Sequence, residues 1–167
     1  MTGTAEFARP VPADRIGPSG LDQEIIATAA ECAALAERLG IPAVLALSAR
    51  FHLRRGAEGR IAATARLTGR LVRDCVVSLE PFETVIAEDF TLVFVPAPLL
   101  DEAIDVTAAA DDVPYSGGMI DLGEAAAEQV ALSLDPYPRR PDATLPAADE
   151  AAPASPFAVL ATRRARH

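Results

Sequence analysis

Apolar and polar residues alternate along two stretches, Val44 to Arg55 and Arg60 to Leu71. In the first, Leu45, Leu47, Ala49, Phe51 and Leu53 interleave with Ala46, Ser48, Arg50, His52 and Arg54. In the second, Ile61, Ala63, Ala65, Leu67 and Leu71 interleave with Arg60, Ala62, Thr64, Arg66 and Arg70. Successive side chains of a strand point to opposite faces, so each run predicts a strand with one apolar and one polar face. The short Gly56-Ala57-Glu58-Gly59 link suits a hairpin. Two further strands are predicted at Arg73–Leu79 and Val85–Val95, stopped by Pro81 and by Pro96-Ala97-Pro98. Short links favour an antiparallel meander.

The pattern changes period elsewhere. Thr28-Ala29-Ala30-Glu31 has capping-box spacing and opens a helix over Ala29–Leu39, with Ala33, Leu35, Ala36 and Leu39 inward and Gly40 as its stop. Leu21–Ala27 reads as another strand, and Glu6–Val11 as extended. Leu99–Gly118 is acidic and turn-rich, the pattern of a solvated loop. A second helix follows, with Asp121 as N-cap and Glu124 at capping-box spacing, and Pro136 and Pro138 end it. The fold class expected is α+β: an antiparallel sheet of four or more strands, with curling towards a barrel left open, two helices packed on it and a flexible C-terminal tail. The domain spans residues 1–140, a Pro/Ala/acid-rich flexible linker 141–155, and an apolar and basic motif 156–167.

Composition narrows the function classes. No run approaches the ~20 apolar residues of a membrane span, and no signal peptide is visible, so a cytoplasmic protein with no membrane partner is expected. Cys32 and Cys75 read as small buried residues, not as a pair or a metal site. Lysine is absent, which with the many Ala residues points to a GC-rich genome. Charge is segregated: residues 74–138 hold fourteen acids and no base. The chain carries −9 in all, a field that repels nucleic acid, so DNA is not expected and a basic partner is.

Catalytic chemistry has few candidates. No phosphate loop, zinc spacing or nucleophile–base pair occurs, so no catalytic residue, metal or cofactor is assigned. Asp121, Glu124 and Glu128 have helical spacing and could hold a hard cation, but capping and a solvated face explain them more simply. Two binding features stand out. Arg50, Arg54, Arg60, Arg66 and Arg70 on the polar strand faces could contact RNA phosphates, unless nearby acids such as Glu58, Asp74, Glu83 or Glu88 pair with them. Partner-binding candidates are Asp101, Glu102, Asp105, Asp111, Asp112, Asp121 and Glu124, together with Phe157, Val159 and Leu160 of a tail ending Arg-Arg-Ala-Arg-His.

Three stretches then resemble one family. They are Arg73–Pro81, Ile120–Glu124 running on through Pro136-Tyr137-Pro138-Arg139, and Pro156-Phe157-Ala158-Val159-Leu160-Ala161. The chain resembles the YceD family of large ribosomal RNA subunit accumulation proteins. Val72 stands where many members have the first cysteine of a Cys-x-x-Cys, and Cys75 matches the second. The resemblance implies a non-enzymatic, bacterial factor supporting synthesis, processing or stability of large-subunit (23S) ribosomal RNA. Its partners would be a basic ribosomal protein, often encoded beside the family, and/or the precursor RNA. Alternatives are a metal-dependent RNA-processing enzyme built around Asp121 and Glu128, and an adaptor acting through its C-terminal tail.

Overall fold

The structure is a computed structural model that describes residues 6–100 and 111–144. The elements run β1 (Pro10–Pro12), a 3-10 turn, β2 (Leu21–Ile26), α1 (Ala29–Leu39), β3 (Ala43–Arg55), a second 3-10 turn, and β4 (Ile61–Asp74). They continue with β5 (Pro81–Pro96), α2 (Ala97–Leu100), β6 (Asp111–Tyr115), β7 (Met119–Asp121) and α3 (Leu122–Ser133). Strands β2-β3-β4-β5-β6 form one open sheet, not a closed barrel, and β1 pairs with β7 in a separate two-stranded sheet.

The meander β2 to β5 is antiparallel throughout. One face buries Leu47, Phe51, Leu53, Ile61, Leu67, Leu71 and Phe94 in the core. Phe51 meets Phe90 edge-to-face at 5.8 Å, which contributes about 0.5–1.5 kcal/mol beyond burial. Helices α1 and α3 lie on this inner face. Cys32, Leu35 and Ala36 of α1, and Leu122, Ala125, Ala126 and Val130 of α3, complete the core.

Several expectations need correction. The strand predicted over Arg73–Leu79 does not exist. β4 runs on to Asp74, and Cys75–Glu80 form the β4–β5 turn, closed by Cys75 N–H to Glu80 O at 2.9 Å and Leu79 N–H to Cys75 O at 2.8 Å. Leu79 sits there at φ 59. Within that turn Val76 is exposed and Val77 half-buried. The acidic segment is not all loop: β6 pairs with β5 in parallel, so the sheet is mixed. The fourteen residues from α2 to the start of β6 give room for such a crossover. Leu45 is exposed because a bulge between Val44 and Ala46 pushes it out of the alternation. On α1 it is Cys32, not Ala33, that faces the core. The flexible tail predicted from 141 onward, with Phe157, Val159 and Leu160, lies outside the described residues beyond Thr144.

The caps decide how the helices enter the core. Thr28 and Glu31 form the predicted capping box, and Gly40 stops α1 in the left-handed region at φ 62. Glu31 also accepts both Arg9 nitrogens, at 2.6 and 2.9 Å. Asp121 caps α3 through Gly123 N–H at 2.9 Å and Glu124 N–H at 3.2 Å. Glu124 does not reach back to close a box; its carboxylate takes both terminal nitrogens of Arg38 on α1 instead. The first turn of α3 presses on the N-terminal segment so closely that a methyl on Gly123 would overlap the Phe7 carbonyl.

Two predictions follow from this packing. Gly123→Ala should destabilise the fold by about 3 kcal/mol or more, read as a fall in Tm, because the backbone of Phe7 has no room to yield. The Arg9 guanidinium and then the Thr28 N–H hold the Glu31 carboxyl down at about 2, below its usual 4.5. A depressed carboxylate stabilises above its ordinary pKa, and that contribution is lost as pH falls from about 4.5 towards 2. Glu31→Gln should cost about 1–3 kcal/mol at neutral pH and flatten the acid limb of the stability profile.

Candidate partner-binding surfaces

The outer face of the sheet carries the predicted arginines, because register puts alternate residues of β2 to β5 there. Glu24, Arg50, Arg66 and Asp89 stand directly opposite one another in a row across four strands. Like charges opposed across a ladder repel, yet here the two arginines are drawn outward by the acids at each end. Arg50 Nε lies 2.9 Å from Glu24 and Arg66 Nη1 3.2 Å from Asp89. The next row is Asp22, His52, Thr64 and Thr91, with His52 Nδ1 2.7 Å from Asp22. Arg70 pairs with Glu83 at 3.1 Å, and Arg60 with Asp112 at 3.6 Å. Arg54 has no acidic partner among the described residues. A shallow trough of about 860 Å³ lies between the two rows.

The predicted basic patch is therefore a balanced mosaic. Arg50, Arg54, Arg66 and Arg70 share the face with Asp22, Glu24, Glu83 and Asp89. Of the acids suspected of pairing, only Glu83 does so on this face; the others come from strands whose register the chain alone does not reveal. Exposed pairs of this kind are worth about 0–1 kcal/mol each, so they set the local field more than the stability.

Two of the acidic candidates are occupied inside the fold. Asp121 Oδ1 accepts from Arg9 N at 2.8 Å besides capping α3, and Glu124 holds Arg38. Asp112 is taken by Arg60, and Glu128 is exposed. Asp121, Glu124 and Glu128 do not converge: among the described residues no three His, Cys, Asp or Glu side chains come together as a metal would need. Asp101, Glu102 and Asp105 lie outside the described residues, and Asp111 is placed only as the first residue of β6. Among the described residues no helix is long and apolar enough to cross a membrane.

One feature escaped the sequence. Cys75 is buried in the β4–β5 turn, where its sulfur accepts N–H bonds from Ser78 at 3.5 Å and Arg140 at 3.4 Å. The Ser78 hydroxyl first, then these amides, bring its thiol down to about 6, whereas burial pushes the Cys32 thiol up. Arg140 is itself fixed by Glu80 and Asp142, both at 2.6 Å, so the 135–142 segment is strapped to the turn. Val76, Leu79 and Tyr137 are exposed around it. The clue in the sequence was Ser78 three residues after Cys75, but its partner Arg140 is 65 residues away.

A titration followed by thiolate absorbance should show Cys75 ionising near pH 6, well before Cys32. Cys75→Ser should remove that step, and Ser78→Ala should move it towards the ordinary thiol range.

No curated protein and no solved structure matches the chain. A family model described as "Large ribosomal RNA subunit accumulation protein YceD" matches residues 63–161, which takes in β4 from its third residue, every element from β5 to α3 and the stretch 156–161. With more than half its length matched, from the second strand of the central hairpin through the acidic block, the chain belongs to the YceD family.

Proposed function

We propose that this protein is a non-catalytic cytoplasmic factor that supports the accumulation of large-subunit ribosomal RNA by binding a basic ribosomal protein before it meets the RNA. The family supplies the coarse role; the partner is inferred from charge. The observation that carries it is the contrast between two regions. Residues 74–138 hold fourteen acids and no base, while four of the five candidate RNA-contacting arginines already have an acid within 2.9–3.6 Å. An RNA-binding sheet needs a positive field, and this face offers a neutral one. A basic ribosomal protein meets an acidic surface with favourable steering and with protection from premature contact with RNA.

The large- to small-subunit ribosomal RNA ratio should fall in cells depleted of the protein and recover with the intact gene. In vitro, the purified chain should bind proteins extracted from large subunits. Changing Asp101, Glu102, Asp105, Asp111 and Asp112 to their amides should weaken that binding by about tenfold and flatten its salt dependence. Retained binding with unchanged salt dependence removes the charge mechanism. If Arg50, Arg54, Arg66 and Arg70 changed to Glu abolished retention of precursor RNA instead, the direct partner would be RNA.

A further inference from the structure

The longest strand is also the most incompletely paired. β5 spans Pro81–Pro96, but β6 covers only Leu92–Pro96 on its outer side. From Phe82 to Thr91 that edge has no strand partner among the described residues, a length of about 30 Å. Cys75 N–H donates to Glu80 O and Gly56 N–H to Arg60 O, which fixes the alternation of hydrogen-bonded pairs up the meander. Even-numbered residues of β5 therefore bond to β4. The N–H and C=O groups of Glu83, Val85, Ala87, Asp89 and Thr91 point to the open edge.

Open edges invite pairing, and most are blunted. The sheet's two end strands are short: β6 has five residues, and β2, with six, is guarded, its outward carbonyls at Ile26 and Glu24 accepting from the Arg9 guanidinium at 2.9 Å and the Gln23 amide at 3.1 Å. The β5 edge has no proline between Phe82 and Thr91, no bulge and no basic residue. Val85 is 70% exposed on it. A cleft of about 360 Å³ runs beside it, walled by Ile86, Glu88, Ser133 and Pro138, with Arg73 and Arg139 also in its lining beside Asp135.

We propose that the free edge of β5, Phe82–Thr91, is a strand-addition site that takes an extended basic segment of a protein partner. This deepens, and rests on, the reading of the protein as a binder of a basic ribosomal protein. Charge selects the occupant. The edge carries Glu83 and Asp89 on its outer face and no base, with Glu88 on the inner face accepting from Ser133 and Gln129 of α3. A second copy would bring three more acids against these, and the chain's own residues 101–110 bring Asp101, Glu102 and Asp105. A basic strand replaces that repulsion with attraction. Glu83 and Asp89 share the outer face six residues apart, so the segment would place basic side chains at that spacing, with small or apolar ones between them opposite Val85 and Ala87. Their pairs with Arg70 and Arg66 are exposed, and a carboxylate accepts from a second guanidinium as well. Main-chain bonds would supply affinity and these side chains specificity.

The test uses the full chain and the proteins extracted from large ribosomal subunits. In the free protein the amides of Glu83, Val85, Ala87, Asp89 and Thr91 should exchange fast and those of Thr84, Ile86, Glu88 and Phe90 slowly; binding should protect the fast set. Val85→Lys places a repelling charge on the edge, and Ala87→Pro removes an outward donor without touching the β4 ladder. Each should weaken binding by about tenfold, while Ile26→Lys on the β2 edge should not. Slow exchange at Ile86 and Glu88 certifies that Ala87→Pro is folded; if it is not, Val85→Lys decides. Binding that survives Val85→Lys with the fast amides unprotected overturns the edge site and leaves the broader function standing. Failure of the unaltered chain to bind any of these proteins overturns both. Protection that rises with protein concentration and no partner assigns the edge to a second copy and overturns the proposal.

Discussion

Arg9 is the constraint on which the arrangement depends. Its main-chain N–H binds Asp121, its guanidinium grips Glu31 and the Ile26 carbonyl, and its plane lies over the Phe7 ring at 4.7 Å. One residue thus touches the N-termini of both major helices and the end of β2. A cation beside two helix N-termini would be repelled by their dipoles. Glu31 and Asp121 remove that conflict by standing between, the Glu31 carboxylate accepting the N-cap Thr28 N–H and Asp121 the Gly123 N–H, as well as binding Arg9. The tie also explains the proximity of Phe7 to Gly123, and Arg38, in the last turn of α1, bridges Glu6 and Glu124 at the start of α3.

Because both helices are committed to one side of the sheet, the other side is left to solvent, and parity decides what it shows. The alternation that sends Phe51 and Leu67 inward sends Arg50 and Arg66 outward as direct neighbours. The edge strands then determine the field of that face. β2 brings Asp22 and Glu24, β5 brings Glu83 and Asp89, and the arginines of the middle strands end up flanked on both sides.

Much of this was legible locally. β3 and α1 were read to within a residue and β4 to within one at its start and three at its end, because alternation over ten or more residues and a capping box are strong short-range signals. The resemblance at 73–81, 120–139 and 156–161 lies within the matched 63–161. What failed depended on long-range geometry. Val76 and Val77 look like strand, but the bond from Cys75 N–H to Glu80 O makes them a turn. Asp111–Tyr115 contains Pro114 among acids and reads as loop, yet it gains strand form by lying beside Leu92–Pro96. Four of the five predicted arginines, Arg50, Arg54, Arg66 and Arg70, stand on one face and Arg60 precedes β4; their electrostatic surroundings were not legible, since the pairing acids lie up to 52 residues away.

The segregation of charge along the chain therefore does not survive unchanged in space. The basic excess of residues 1–73 is consumed where β3 and β4 meet the acids of β2, β5 and β6. The acidic block loses fewer of its members in return, because it has no base of its own and only part of it faces an arginine. Folding converts a chain with two oppositely charged regions into a body with one neutral face and an acidic remainder. A surface of that kind attracts a cation-rich protein at long range while offering RNA no competing field. That asymmetry is what the proposed role requires: a basic partner is drawn in by the acidic surface and can be given up to a far more negative polymer.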